Sequence, residues 1–164
     1  MNAKRRAYEN NISISEANPA RVPTDTTRHM QLRLLRLFLG FAAVAWGASV
    51  FGIFVSWPEA SQLLQGLGAR PIAYDPMLDY WLRMAAGAFT LIGCWYLVLM
   101  VWPQKYCAAI PWFGALMLAE GLILLIHGIR LSLPPFPFYG DVAGSLVGGG
   151  GILFFARHAK PKGS

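Results

Sequence analysis

The sequence predicts an all-α protein, an integral membrane four-helix bundle with both termini on the cytoplasmic side (N-in, C-in). Three observations predict it. Hydrophobic residues make up 55% of the 164-residue chain and charged residues only 13%, too few charges to cover a water-facing surface of this size. Four stretches approach or exceed the length of apolar helix, about 20 residues, that crosses a hydrocarbon core. The basic residues gather on one side of those stretches, as membrane orientation requires.

Residues 1–30 are polar, carry Lys4, Arg5, Arg6, Arg21 and Arg28 with Pro19 and Pro23, and show no hydrophobic periodicity. This composition predicts a disordered cytoplasmic tail. The bundle follows over residues 31–157. Its first span covers residues 34–56, is free of charge from Leu37 to Ser56, and ends at Trp57-Pro58. The second covers residues 80–102. Asp75 can cap this helix, Pro76 suits its first position, and Pro103 closes it. The third covers residues 108–131 and contains Glu120 and His127. Pro134, Pro135 and Pro137 forbid its continuation. The fourth, residues 142–156, is short and holds a run of glycines from Gly148 to Gly151. Arg157, His158, Lys160 and Lys162 follow it, and the basic tail at 158–164 anchors a cytoplasmic end.

The positive-inside rule tests this count. Lys4, Arg5, Arg6, Arg21, Arg28, Arg33, Arg36, Lys105, Arg157, Lys160 and Lys162 fall inside, and only Arg70, Arg83 and Arg130 fall outside. Removing the fourth span would put the basic tail on the wrong face. The net charge of +6 is explained by these flanks and not by nucleic-acid binding. Trp57, Tyr74, Tyr80, Trp81, Trp102, Tyr106, Trp112 and Tyr139 lie near span ends, forming the expected interfacial belt. Residues 59–67, in the longest outer connection, fit either a short amphipathic helix on the membrane surface or an irregular ordered loop.

Spans in lipid associate by close packing, so small residues mark their contacts. Gly114, Gly121 and Gly128 form one stripe on span three, Gly144 and Gly148 a GxxxG on span four, and Ala43 with Gly47 a small face on span one. These predict close contact between spans three and four. Cys94 and Cys107 lie in apolar segments without CxxC or Cys/His spacing, which points to packing and away from thiol redox chemistry or a metal site. No cofactor is implied.

A charge inside a bilayer costs roughly 2.5–3.5 kcal/mol near its centre, so each one needs a reason. The candidate ligand-binding residues are Arg83, Glu120, His127, Arg130 and Asp141. At the helical rise, Glu120 lies about 16 Å in and His127 about 6 Å in from the outer boundary. They share a helix face, with Arg83 level with His127 and Asp141 at the start of span four. One reading is a polar pocket open to the outside. The other is structural: Arg83 neutralises Glu120 through a water or a neighbouring side chain, His127 bonds a backbone carbonyl, Asp141 caps a helix, and Arg130 reaches the headgroups. There is no Walker loop, GxSxG, HExxH or dinucleotide fingerprint, no catalytic residue is assigned, and the reading leans away from an enzyme.

The segment Asp79-Tyr80-Trp81-Leu82-Arg83-Met84-Ala85-Ala86-Gly87, with Glu120-Gly121, His127-Gly128 and Pro137-Phe138-Tyr139-Gly140-Asp141, resembles the DoxX-like group of small four-helix bacterial inner-membrane proteins. The resemblance spans about residues 32–157. It implies a four-helix bundle in a bacterial inner membrane and a place as a small subunit or partner in redox-linked systems. It transfers no catalytic residue. Two functional expectations result. The first is a non-catalytic accessory subunit packing in the bilayer against a membrane protein partner or a second copy of itself. The second is a lipophilic-ligand or proton-linked site, with enzymatic activity left open, around Glu120, His127 and Arg83.

Overall fold

The computed structural model describes residues 25–159. Residues 1–24 and 160–164, which hold most of the expected N-terminal tail and the end of the basic C-terminal tail, lie outside the described residues. Among the described residues every regular element is helical, and four apolar helices are long enough to cross a membrane.

The first span runs from Thr26 to Phe54. It is made of α1 (Asp25–Gly47), a 3-10 turn (Ala48–Val50) and the short α2 (Phe51–Phe54). Residues 25–30, expected as the end of the tail, are therefore its opening turns. An α-helix satisfies its own backbone hydrogen bonds and need not stop where the hydrocarbon does. The short helix α3 (Trp57–Gly66) follows, so all of residues 59–67 but the C-cap Leu67 are helix rather than irregular loop. The Ser56 backbone N–H and hydroxyl both donate to Glu59 Oε2, at 3.0 and 2.8 Å, and these bonds draw the Glu59 carboxyl below its usual range.

The second span is α4 (Pro76–Val101). Asp75 caps it by accepting from the backbone N–H groups of Met77 and Leu78, at 2.8 and 3.2 Å, and Pro76 stands in its first turn. The third is α5 (Ile110–Arg130). The fourth, α6 (Pro135–Ala156), begins well before residue 142. The prolines that stop α5 also open α6, because a first-turn residue has no intrahelical N–H bond to lose. Only Phe136, at φ −109° and ψ 133°, leaves helical geometry there. Past this kink the helix runs unbroken over residues 137–156, about 30 Å, which turns the shortest expected span into a full crossing. A 3-10 turn, Arg157–Ala159, ends the described chain.

Glycine decides which spans touch. A Cβ on Gly114 would meet Leu153 Cγ at 2.9 Å, one on Gly121 would meet Leu146 Cδ2 at 2.9 Å, and one on Gly128 would fall on the Phe138 ring. The stripe on α5 thus receives α6 in antiparallel register, as expected. The GxxxG of α6 is shared between two neighbours: Gly144 faces Phe41 of α1, while a Cβ on Gly148 would meet Met117 of α5 at 2.7 Å before Phe41 at 3.4 Å. The residue of α6 that touches the α5 backbone is Gly149, whose added Cβ would meet the Gly114 carbonyl and the Leu118 N–H at 2.9 Å each. On the other side, Gly93 of α4 packs against the backbone of Gly47 and Ala43 in α1.

The buried apolar core, including Leu35, Leu39, Leu99, Ile110, Ile152 and Ala159, collects at one end of the bundle. There the buried Tyr96 donates its hydroxyl to the Phe113 carbonyl at 3.0 Å and joins α4 to α5. The outward faces are strongly apolar: Phe54 is 81% exposed and Val44 72%. Such a surface requires lipid around it, and the chain is a multi-pass membrane protein.

Candidate functional site

The half of the bundle nearest α3 is packed differently. Beside the glycine contacts between α5 and α6, this half holds two half-open cavities of about 350 Å³ each. The inner one lies among all four spans. Phe41, Trp46 and Ser49 of the first span, Phe89 of α4, Met117, Glu120 and Leu124 of α5, and Asp141 and Ser145 of α6 line it. Trp46 and Phe89 meet edge to face, centroids 5.1 Å apart and planes at 74°, so two of its walls form an aromatic corner. The other cavity lies under α3 and is lined by Leu64, Leu67, His127, Phe138 and again Leu124 and Asp141.

Local structure positions each group. Glu120 stands midway along α5. It neighbours Gly121, which lets the Ser145–Leu146 turn of α6 approach closely. In this register Asp141 lies about 7 Å nearer the α3 end than Glu120, and His127 about 10 Å nearer. Asp141 is not the cap of α6 but an internal residue, about one turn past the kink at Phe136. Pro134, with an extended backbone, takes the capping position and supplies no side-chain hydrogen bond. Asp141 therefore borders both cavities.

The cover of the second cavity comes from how α3 ends. Gly68 has φ +98°, a conformation that glycine adopts freely. The Gly68 N–H donates to the Gln65 carbonyl and the Ala69 N–H to the Leu64 carbonyl, at 2.9 Å each. This pair of bonds is a Schellman termination. It sets Gly68 against the Pro134 ring, where a Cβ would approach Cγ to 3.2 Å.

Arg83 is not brought to Glu120. Its guanidinium donates to the Ile53 carbonyl at 2.7 Å and pairs with Asp79 Oδ1 at 2.9 Å, and it lines neither cavity. The last carbonyls of a helix lack intrahelical partners, and Arg83 satisfies one at the end of α2. Arg130 sits exposed in the last turn of α5 and also lines neither cavity. Of the five candidates, the fold gathers Glu120 with Asp141, and His127 with Asp141. Among the described residues Glu120, Asp141 and Ser145 have no hydrogen-bond or ion-pair partner on the protein. No group of three His, Cys, Asp or Glu side chains there could hold a metal ion. Free Cys94 and Cys107 line neither cavity.

Sequence reasoning missed Ser49, Ser145 and Trp46. A signal for one existed: Asp141 and Ser145 are four residues apart and thus on one helix face, but only once Asp141 is known to be inside the helix. No protein-family model, curated protein or solved structure matches the chain.

Proposed function

We propose that this protein binds a lipophilic small molecule within the bilayer, in the cavity between its spans. One observation carries the reading: a half-open, largely apolar cavity with Glu120, Asp141 and Ser145 in its wall, in a bundle whose opposite half is tightly packed. Apolar concavities with a few convergent polar groups are the common form of small-molecule sites. Ionisable residues at mid-membrane depth are costly and are kept where they act. The small-residue stripes that pointed to an accessory subunit are consumed inside the fold, since Gly93, Gly114, Gly121, Gly128, Gly148 and Gly149 all face neighbouring spans. We further propose a bacterial inner membrane location with both termini in the cytoplasm, on the charge bias of the flanks and the DoxX-like resemblance.

A neutral photoactivatable alkyl diazirine tests the binding reading. In detergent-purified protein, cross-links are expected to concentrate on Phe41, Phe89 and Met117. Filling the cavity with Ala45→Trp should abolish that concentration. Labelling spread evenly over lipid-facing residues, and unchanged by Ala45→Trp, would refute it.

A further inference from the structure

The lining of the inner cavity specifies more than lipophilicity. Glu120 and Asp141 both reach it, from different helices, and no lysine, arginine or histidine lines it. Arg83, the cation that the structural reading of the sequence assigned to Glu120, is committed to Asp79 and the Ile53 carbonyl. His127 and Arg130 do not reach this chamber. Among the described residues the cavity wall is thus acidic with no cation lining it, and His127 shares only the neighbouring cavity with Asp141. Ser145 supplies an independent observation. It is only 8% exposed, lines the same cavity, and has no hydrogen-bond partner among the described residues. A helix hydroxyl can bond the carbonyl four residues back, as Thr90 does to Ala86 at 2.8 Å. Ser145 leaves that option unused and keeps its oxygen free to accept from a ligand. The aromatic corner of Trp46 and Phe89, with Phe41 on the rim, offers π faces, which attract cations and repel anions.

We propose that the cavity selects a monovalent organic cation with an apolar body, such as a lipophilic ammonium. Glu120 and Asp141 pair with the charge, Ser145 accepts a hydrogen bond where an N–H is present, and Phe41, Trp46 and Phe89 contact the apolar part. The inference rests on the cavity being a ligand site, and adds the sign of the ligand's charge. The cationic group could be a free amine or the ammonium of a zwitterionic aminophospholipid headgroup, whose phosphate would then lie away from the two carboxylates.

Tetraphenylphosphonium and tetraphenylborate have nearly the same shape and opposite charge, so the pair isolates the sign. Binding is measured by equilibrium dialysis on the full chain in detergent, with protein-free micelles as the blank. Tetraphenylphosphonium is expected to bind at least about tenfold more tightly than tetraphenylborate. Glu120→Gln and Asp141→Asn should each weaken it by about tenfold or more while elution volume and melting temperature stay unchanged. The wild-type comparison alone decides the issue if a variant fails to fold. Equal binding of the two ions would overturn the cation assignment and leave the cavity reading standing. Binding of neither ion, together with failed diazirine labelling, would overturn both. In nanodiscs, displacement of tetraphenylphosphonium by phosphatidylethanolamine but not phosphatidylglycerol would identify a headgroup as the occupant. Absence of displacement would identify a free lipophilic cation.

Discussion

Among single residues, Arg83 is instructive because it has two partners of unequal value. Its bond to the Ile53 carbonyl, at 2.7 Å and partly buried, satisfies an acceptor that water reaches poorly. Its pairing with Asp79 leaves the two side chains 31% and 20% exposed, with the contacted Oδ1 itself buried, and Asp79→Asn removes that pair while leaving the carbonyl bond in place. Charge-assisted hydrogen bonds to an otherwise unpaired group contribute about 1.5–3 kcal/mol. Arg83→Ala should therefore destabilise the protein clearly more than Asp79→Asn, as read by unfolding in mixed micelles. Equal losses would mean that the ion pair, not the helix-end carbonyl, sets the value of Arg83. Glu59 supplies a second residue-level test, on the short helix outside the spans. Its carboxyl titrates below the ordinary value of 4.5 because Ser56 donates to it twice. A depressed carboxyl stabilises the fold above its ordinary value, and that contribution is lost as pH falls through the lowered one. Amide exchange in α3, corrected for intrinsic pH dependence, should accelerate as pH drops below about 4.5. Glu59→Gln should remove most of that pH dependence.

For the elements, the α5–α6 pair stands or falls on glycine. Gly128 lies against the Phe138 ring so closely that any Cβ overlaps it. An aromatic ring wedged between helices cannot yield cheaply, and overpacking of this kind costs about 1–3 kcal/mol. Gly128→Ala is expected to lower the melting temperature and to disturb the cavity under α3, whose wall includes Phe138. Gly87→Ala is the matched control, since an added Cβ there meets nothing within 4 Å and gains about 1 kcal/mol of helix propensity. If both substitutions behave alike, the register of the pair is wrong. The glycine stripe was legible in the sequence, because a seven-residue repeat of one small residue identifies a face without any knowledge of its partner. The target of the GxxxG was not legible. Gly144 and Gly148 fit any close neighbour, and only the fold gives Gly144 to Phe41 and divides Gly148 between Met117 and Phe41.

Across the whole molecule, hydropathy and proline placement carried the architecture, since a span needs only length and apolarity to be recognised. The site was half legible for a related reason. Depth along a helix follows from counting residues, so Glu120 and His127 could be placed in advance. Lateral partnership depends on rotation and register, so Arg83 was paired with the wrong group and Asp141 was read as a cap. Orientation is a separate property, fixed by how lysine and arginine distribute across the two faces. Arg70 follows α3 on one face, and Lys105 lies between α4 and α5 on the other. With Cys94 and Cys107 replaced by alanine, single cysteines at these two positions report the faces directly. A membrane-impermeant maleimide applied to intact spheroplasts should label Arg70→Cys at once and Lys105→Cys only after lysis. The opposite pattern would invert the molecule, turn the cavity under α3 toward the cytoplasm, and change the compartment from which a ligand could enter.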